Sequence, residues 1–148
     1  MKGEMDMLLR NCAGGVVFSS NNKVFLLQNE KGEWGFPKGV IKNGELQSEV
    51  ALRRVLKEGG INATIISPAG RTNYEFFSVT RQQPVCNRIT WYIMSTENED
   101  YSIGEPDKYK KAGFFTIEDA MEKITYSQDR SLLHVSYLKY KEVMSVAS

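Results

Sequence analysis

Apolar positions along the chain follow two periods, one suited to strands and one to helices. Residues 14–18 and 23–28 are β-rich runs parted by Ser19-Ser20-Asn21-Asn22, the pattern of a hairpin with a four-residue loop. Gly32, Gly35, Pro37 and Gly39 follow closely and exclude a regular element over residues 31–39. Residues 46–58 have helical composition without glycine or proline, and Gly59-Gly60 supplies the stop. Strand character resumes at residues 61–66, 73–79 and 88–94, with residues 81–87 as the turn between the last two. Residues 97–111 read as a loop and residues 112–115 as a short strand. Thr116 stands three residues before Asp119, a capping-box-like start for a helix to about residue 124. A final helix is predicted over residues 129–144, with Leu133, Tyr137, Tyr140 and Met144 toward the core. The pattern predicts a single α+β domain over residues 1–148, a central mixed sheet with helices outside.

Composition narrows the function classes. The chain has 148 residues, 41% hydrophobic and 25% charged, with 19 basic against 18 acidic side chains. A net charge of +1 gives no overall field for nucleic acid or an anionic membrane, so any anion site must be a local cluster. Cys12, Cys86 and His134 are too few for a structural zinc site, and the cysteines fit no metal or disulfide spacing. The start, Met1 to Asp6, mixes charge among its apolar residues, and no apolar run approaches the roughly 20 residues of a spanning helix. The expectation is a protein of a reducing compartment, cytoplasmic or nuclear and not secreted.

The stretch that carries chemistry is Gly39-Val40-Ile41-Lys42-Asn43-Gly44-Glu45, followed after seven residues by Arg53-Arg54-Val55-Leu56-Lys57-Glu58-Gly59-Gly60-Ile61. It resembles the Nudix box, G-x5-E-x7-R-E-U-x-E-E-x-G-U with U aliphatic. Gly39, Glu45, Arg53, Val55, Glu58, Gly60 and Ile61 stand at its positions. Trp34-Gly35-Phe36-Pro37-Lys38 is similar to the approach to the box in Nudix enzymes acting on dinucleoside polyphosphates and in mRNA-decapping relatives. Residues 88–94 resemble the core strand after the box. Gly113-Phe114-Phe115-Thr116-Ile117-Glu118-Asp119-Ala120 resembles a late segment of dinucleoside-polyphosphate and diphosphoinositol-polyphosphate hydrolases. The resemblance covers roughly residues 11–140 and implies an α/β/α sandwich that cleaves a diphosphate linked to another group, using Mg²⁺ or Mn²⁺.

The box has a physical logic. Breaking a phosphoanhydride requires neutralised phosphate charge and an activated water, which a hard dication held by several oxygens supplies. Carboxylates at i, i+3 and i+4 of a helix make such a cluster on one face. The resemblance puts them at positions 54, 57 and 58, which here are Arg54, Lys57 and Glu58. These three lie within roughly a 100° arc, opposite Ala51, Leu52, Val55 and Leu56, which are expected to pack on the sheet. Three carboxylates would carry −3, whereas these residues carry +1. Two fixed cations near a dication oppose its binding by several kcal/mol, at roughly 4 kcal/mol per pair at 4 Å. Metal binding of the family type is therefore expected to be weak or absent, with Glu58 as the remaining ligand of an incomplete site.

Other candidates follow. Glu45 and Arg53 are expected to form a buried or half-buried pair that fixes the loop onto the helix, supporting Glu58. Lys38, Arg54 and Lys57 are candidate phosphate contacts, since guanidinium and ammonium groups can meet phosphate oxygens directly. Glu97, Glu99 or Asp100 can supply an extra carboxylate from their loop, against a solvated acidic loop. His134 is a candidate base, though a lone helix histidine is more often surface. Trp34, Tyr74 and Phe76 can stack on a base or belong to the core. Three functions fit: a hydrolase of dinucleoside or diphosphoinositol polyphosphates with ligands drawn from elsewhere, a polyphosphate-binding protein that has lost the metal site, and an RNA-associated module. The sequence favours a Nudix-type protein of impaired catalysis acting on or binding a small polyphosphate or nucleotide.

Overall fold

The computed structural model describes residues 6–147. Most of the chain start read as charged and leaderless, Met1 to Met5, lies outside the described residues. Ten elements follow in order: β1 (Leu8–Ser19), β2 (Lys23–Asn29), β3 (Trp34–Gly35), β4 (Lys38–Val40), α1 (Gln47–Gly59), β5 (Thr64–Ser78), β6 (Gln83–Thr96), β7 (Tyr109–Thr116), α2 (Ile117–Lys123) and α3 (Ser127–Ala147). The sheet runs β3-β2-β1-β6-β5, with β4 also on β1 and β7 also on β2. β1 lies parallel to β6 from Leu8↔Val85 to Ser19↔Thr96, and the other pairings are antiparallel, so the sheet is mixed.

Alternation along the central strands divides the core. One face joins Val16, Phe18, Ile89, Trp91 and Ile93 to Ile124, Leu133 and Tyr140 of the α2–α3 side. The other joins Ala13, Val17, Phe25, Leu27 and Met94 to Val50, Ala51 and Val55 of α1. The result is the expected α/β/α sandwich of the α+β class. No helix among the described residues is long and apolar enough to cross a membrane.

One departure from regularity positions the site. β1 and β2 are paired at Phe18↔Val24 and then diverge. β4 fills the wedge on the β1 side at Cys12–Gly14, and β3 fills it on the β2 side at Leu27 and Gln28. Residues 31–39, expected to hold no regular element, thus form two short strands whose backbone groups pair in the gap.

Other boundaries moved for identifiable reasons. Residues 64–66 of the first run and 73–78 of the second belong to one strand, β5, which continues through irregularities between Ile65 and Ser67 and between Pro68 and Gly70. Proline is tolerated because β5 is an edge strand. The turn to β6 accordingly shrinks to residues 79–82. α1 ends where Gly60 adopts φ 67°, a left-handed cap natural to glycine, and its N–H donates to Leu56 O at 2.8 Å. α2 begins as predicted, with Thr116 Oγ1 accepting from Asp119 N at 3.2 Å. On α3, Leu133 and Tyr140 are buried and Tyr137 packs against the core, but Met144 is 39% exposed and does not join it. On α1, Leu56 is 50% exposed, and Glu58 takes a place on the buried face instead.

Candidate functional site

The C-terminal turn of α1 holds an ion cluster assembled by a distant loop. Ser102 N donates to Gly59 O at 2.9 Å and Gly104 N to Glu58 O at 3.1 Å, satisfying carbonyls that the helix end leaves free. This docking carries Glu105, Lys108 and Tyr109 over α1. Glu58 is fully buried. Its Oε1 accepts from the Tyr109 hydroxyl at 3.0 Å, its Oε2 accepts from Arg54 Nη2, and Lys108 Nζ lies 3.7 Å away. The same Arg54 nitrogen reaches Glu105 Oε1 at 3.0 Å, and Lys57 Nζ lies 3.8 Å from Glu105 Oε2.

The Arg54 side chain crosses directly over Gly39: a Cβ there would meet Arg54 Cδ at 2.5 Å, so the glycine is required by close approach. Burial alone would draw the Arg54 pKa down, but the hydrogen bond and charge of Glu58, with the charge of Glu105, hold it above its ordinary value. Burial, and then the neighbouring Glu58 charge and hydrogen bond, push the Tyr109 phenol up, so it stays a donor. The cluster is therefore two carboxylates threaded by fixed cations.

Beside it, on the α2–α3 face of the sheet, opens a cleft of about 330 Å³. Trp34, Phe36, Tyr74, Phe76, Trp91 and Tyr126 give it aromatic walls, and Lys38, Lys108 and Asp129 give it charge. Lys108 and Tyr109 line it too, so the cleft runs into the ion cluster. Its rim is latched. Tyr126 OH donates to Glu33 Oε2 at 2.5 Å and meets Tyr74 OH at 3.0 Å, while Asn29 Nδ2 donates to Glu33 Oε1 at 2.9 Å. The Tyr126 and Asn29 hydrogen bonds hold the Glu33 carboxyl below its usual range. Burial raises Asp129, with Lys38 and Arg130 opposing.

Residues 8–135 match the model of the NUDIX domain. The chain belongs to the Nudix family. It is 28% identical over 108 residues to MutT4 of Mycobacterium tuberculosis, covering 70% of this chain and 40% of that one. It is 33% identical over 73 residues to an RNA pyrophosphohydrolase of Erythrobacter litoralis, covering 47% of this chain and 44% of that one. The chain thus spans less than half the length of both curated relatives. A solved C. elegans Ap4A hydrolase binary complex shares the fold, with a TM-score of 0.73 at 20% identity, over 90% of this chain and 98% of that one.

Within the Nudix box, the structure brings Arg54, Lys57 and Glu58 together through Glu105, but with Glu58 turned inward and Lys57 57% exposed. Arg53 and Glu45 do pair, Nη1 to Oε2 at 2.8 Å, at the surface, where Arg53 is 48% exposed and Glu45 26%. Glu45 Oε1 also accepts from Lys42 N at 2.7 Å, which ties the Nudix loop to the helix. Lys38, Trp34, Tyr74 and Phe76 all line the cleft. His134 is exposed on α3 and does not line it.

The loop after β6 does send a carboxylate to the cluster, but it is Glu105. Glu99 is engaged elsewhere, accepting from Ser19 Oγ at 2.7 Å and facing Lys23 at 3.8 Å, and Glu97 and Asp100 are exposed. Glu105, Lys108 and Tyr109 carry no local sequence motif because their contacts depend on the loop capping a helix some 50 residues earlier, the Arg54–Glu105 and Tyr109–Glu58 bonds each joining residues 51 apart. The only local signal was the change from acidic to basic residues within 97–111.

Proposed function

We propose that this Nudix chain binds a nucleoside polyphosphate, its base among the aromatic walls of the cleft and its phosphates toward Lys38, Lys108, Arg54 and Lys57, and that family-type hydrolysis is impaired. The observation that carries the reading is the Arg54 guanidinium bonded to both Glu58 and Glu105. A hard dication needs several uncommitted oxygens at one place. Here both carboxylates are already engaged by Arg54, with Lys57 and Lys108 supplying the remaining positive charge, and no group of three or more His, Cys, Asp or Glu among the described residues has metal-binding geometry. These residues do not fit Mg²⁺ or Mn²⁺, although the family uses such ions. The cations offer a different chemistry: they can satisfy phosphate oxygens directly without activating a water.

The test is titration calorimetry with Mn²⁺, followed by turnover assays on diadenosine tetraphosphate and diphosphoinositol pentakisphosphate. The expected result is no Mn²⁺ heat and no metal-dependent turnover; robust turnover by the unaltered protein overturns the impaired-catalysis reading. Arg54→Glu with Lys57→Glu should restore an acidic cluster beside Glu58 and make the melting temperature rise with added Mn²⁺. A double variant as indifferent to Mn²⁺ as its parent refutes the placement of the metal-binding face.

A further inference from the structure

Three cations converge on one loop carboxylate beside the cleft, which they join at Lys108. Glu105 receives Arg54 Nη2 at 3.0 Å, Lys57 Nζ at 3.8 Å and Lys108 Nζ at 4.0 Å. The two ammonium groups are 57% and 54% exposed, so their donors are open to a second anion, while Glu105 is only 26% exposed. Within the cluster, Glu58 and Glu105 leave one of the three positive charges uncompensated. Glu58 holds Arg54 and Lys108 from within the core, whereas Glu105 is the acid of the cluster that reaches solvent, so among these three cations it stands as the occupant of an anion site.

We propose that Arg54, Lys57 and Lys108 form a phosphate seat and that the Glu105 carboxylate fills it as an internal competitor, displaced when a polyphosphate enters. The inference rests on the cleft being a nucleoside polyphosphate site and names what regulates its phosphate end.

The exchange needs little motion. The backbone around Glu105 is fixed, because Gly104 N is bonded to Glu58 O at 3.1 Å and Glu105 O accepts from Lys108 N at 2.9 Å and Tyr109 N at 3.0 Å. Rotation of the Glu105 side chain alone vacates the seat and leaves the helix end capped. A phosphate brings more negative charge and more acceptor oxygens than the carboxylate it replaces, so three cations favour it. Lys108 belongs to both the seat and the cleft wall, so a phosphate on the seat is continuous with a nucleoside in the cleft.

Calorimetry with inorganic tripolyphosphate and with ATP, in EDTA so that no dication contributes, tests the seat. Glu105→Gln keeps the side-chain shape while removing its charge, and should tighten both ligands about tenfold, the sum of three weak ion pairs no longer competing. Lys57→Met and Lys108→Met, at exposed positions that leave the core untouched, should weaken both. Unchanged or weaker tripolyphosphate binding by Glu105→Gln overturns the proposal. If ATP binds the parent and Glu105→Gln equally well, the seat is refuted and the cleft reading stands. If ATP binds neither, both are refuted.

Discussion

Two arginine–glutamate pairs stand on neighbouring residues of α1, and they behave as different chemical objects. Arg53 meets Glu45 at the surface, 48% and 26% exposed. Arg54 meets Glu58 where the arginine is 15% exposed and the glutamate fully buried. Water and salt screen the first pair, so its use is geometric: it ties the loop before α1 to the helix. The second pair has lost its water, and each charge depends on the other and on Tyr109, Glu105 and Lys108. Residue identity is the same in both. Burial decides which pair is a fastening and which holds a fixed cation among the carboxylates of a Nudix helix.

The most severe way to test that contrast is Arg54→Met. It leaves Glu58 buried with only the Tyr109 hydroxyl and the half-exposed Lys108 ammonium at 3.7 Å, and should cost about 3–5 kcal/mol in urea unfolding, the range for breaking one side of a buried pair. Arg54→Met with Glu58→Met should recover all but about 1 kcal/mol, the remainder being the Tyr109 hydroxyl left without its acceptor. A double variant as unstable as the single one would mean that Arg54 acts by packing over Gly39 and not by charge.

An intermediate case sharpens the comparison. Glu33 at the cleft rim is held below its usual pKa first by the Tyr126 hydrogen bond and then by that of Asn29. A carboxyl depressed in the folded state stabilises the fold above its unfolded pKa, and that contribution disappears as pH falls through its folded value. Tyr126→Phe removes the main cause, so it should cost about 1 kcal/mol at neutral pH, a modest figure because Glu33 is partly exposed. It should cost less in acid, below the folded-state pKa of the parent carboxyl, where the parent has itself lost the charge. Unfolding curves at neutral and acid pH check this; an equal loss at both would place the effect in the Tyr126–Tyr74 contact and not in the Glu33 charge.

What was legible in the sequence follows the same division. The hairpin of β1 and β2, helix α1 and the Thr116 cap were readable because strand alternation, a glycine stop and a capping hydroxyl act locally. So were the Glu45–Arg53 pair and the basic residues at positions 54 and 57, since motif spacing places them. The burial of Glu58 was not readable. By helical spacing it shares an arc with exposed Lys57, and only the docking of residues 102–105 on the helix end covers it. The continuity of β5 through Pro68 and Gly70 was not readable for a related reason: only an edge strand with bulges accommodates them.

The weakest expected effect closes the series. Arg53→Ala should leave the urea midpoint and ATP binding within the error of the measurement. Glu45 keeps its stronger partner: the hydrogen bond from Lys42 N, ahead of that from Arg53, is the main reason its carboxyl lies below its usual range. The loop therefore stays fastened without the guanidinium, and Glu45 stays ionised at neutral pH. A loss approaching that of Arg54→Met would break the comparison, because it would show an exposed pair behaving as a buried one. Since solvent replaces Arg53 at once and nothing replaces Arg54, the ratio of the two losses measures how much more a buried arginine contributes to this helix than an exposed one.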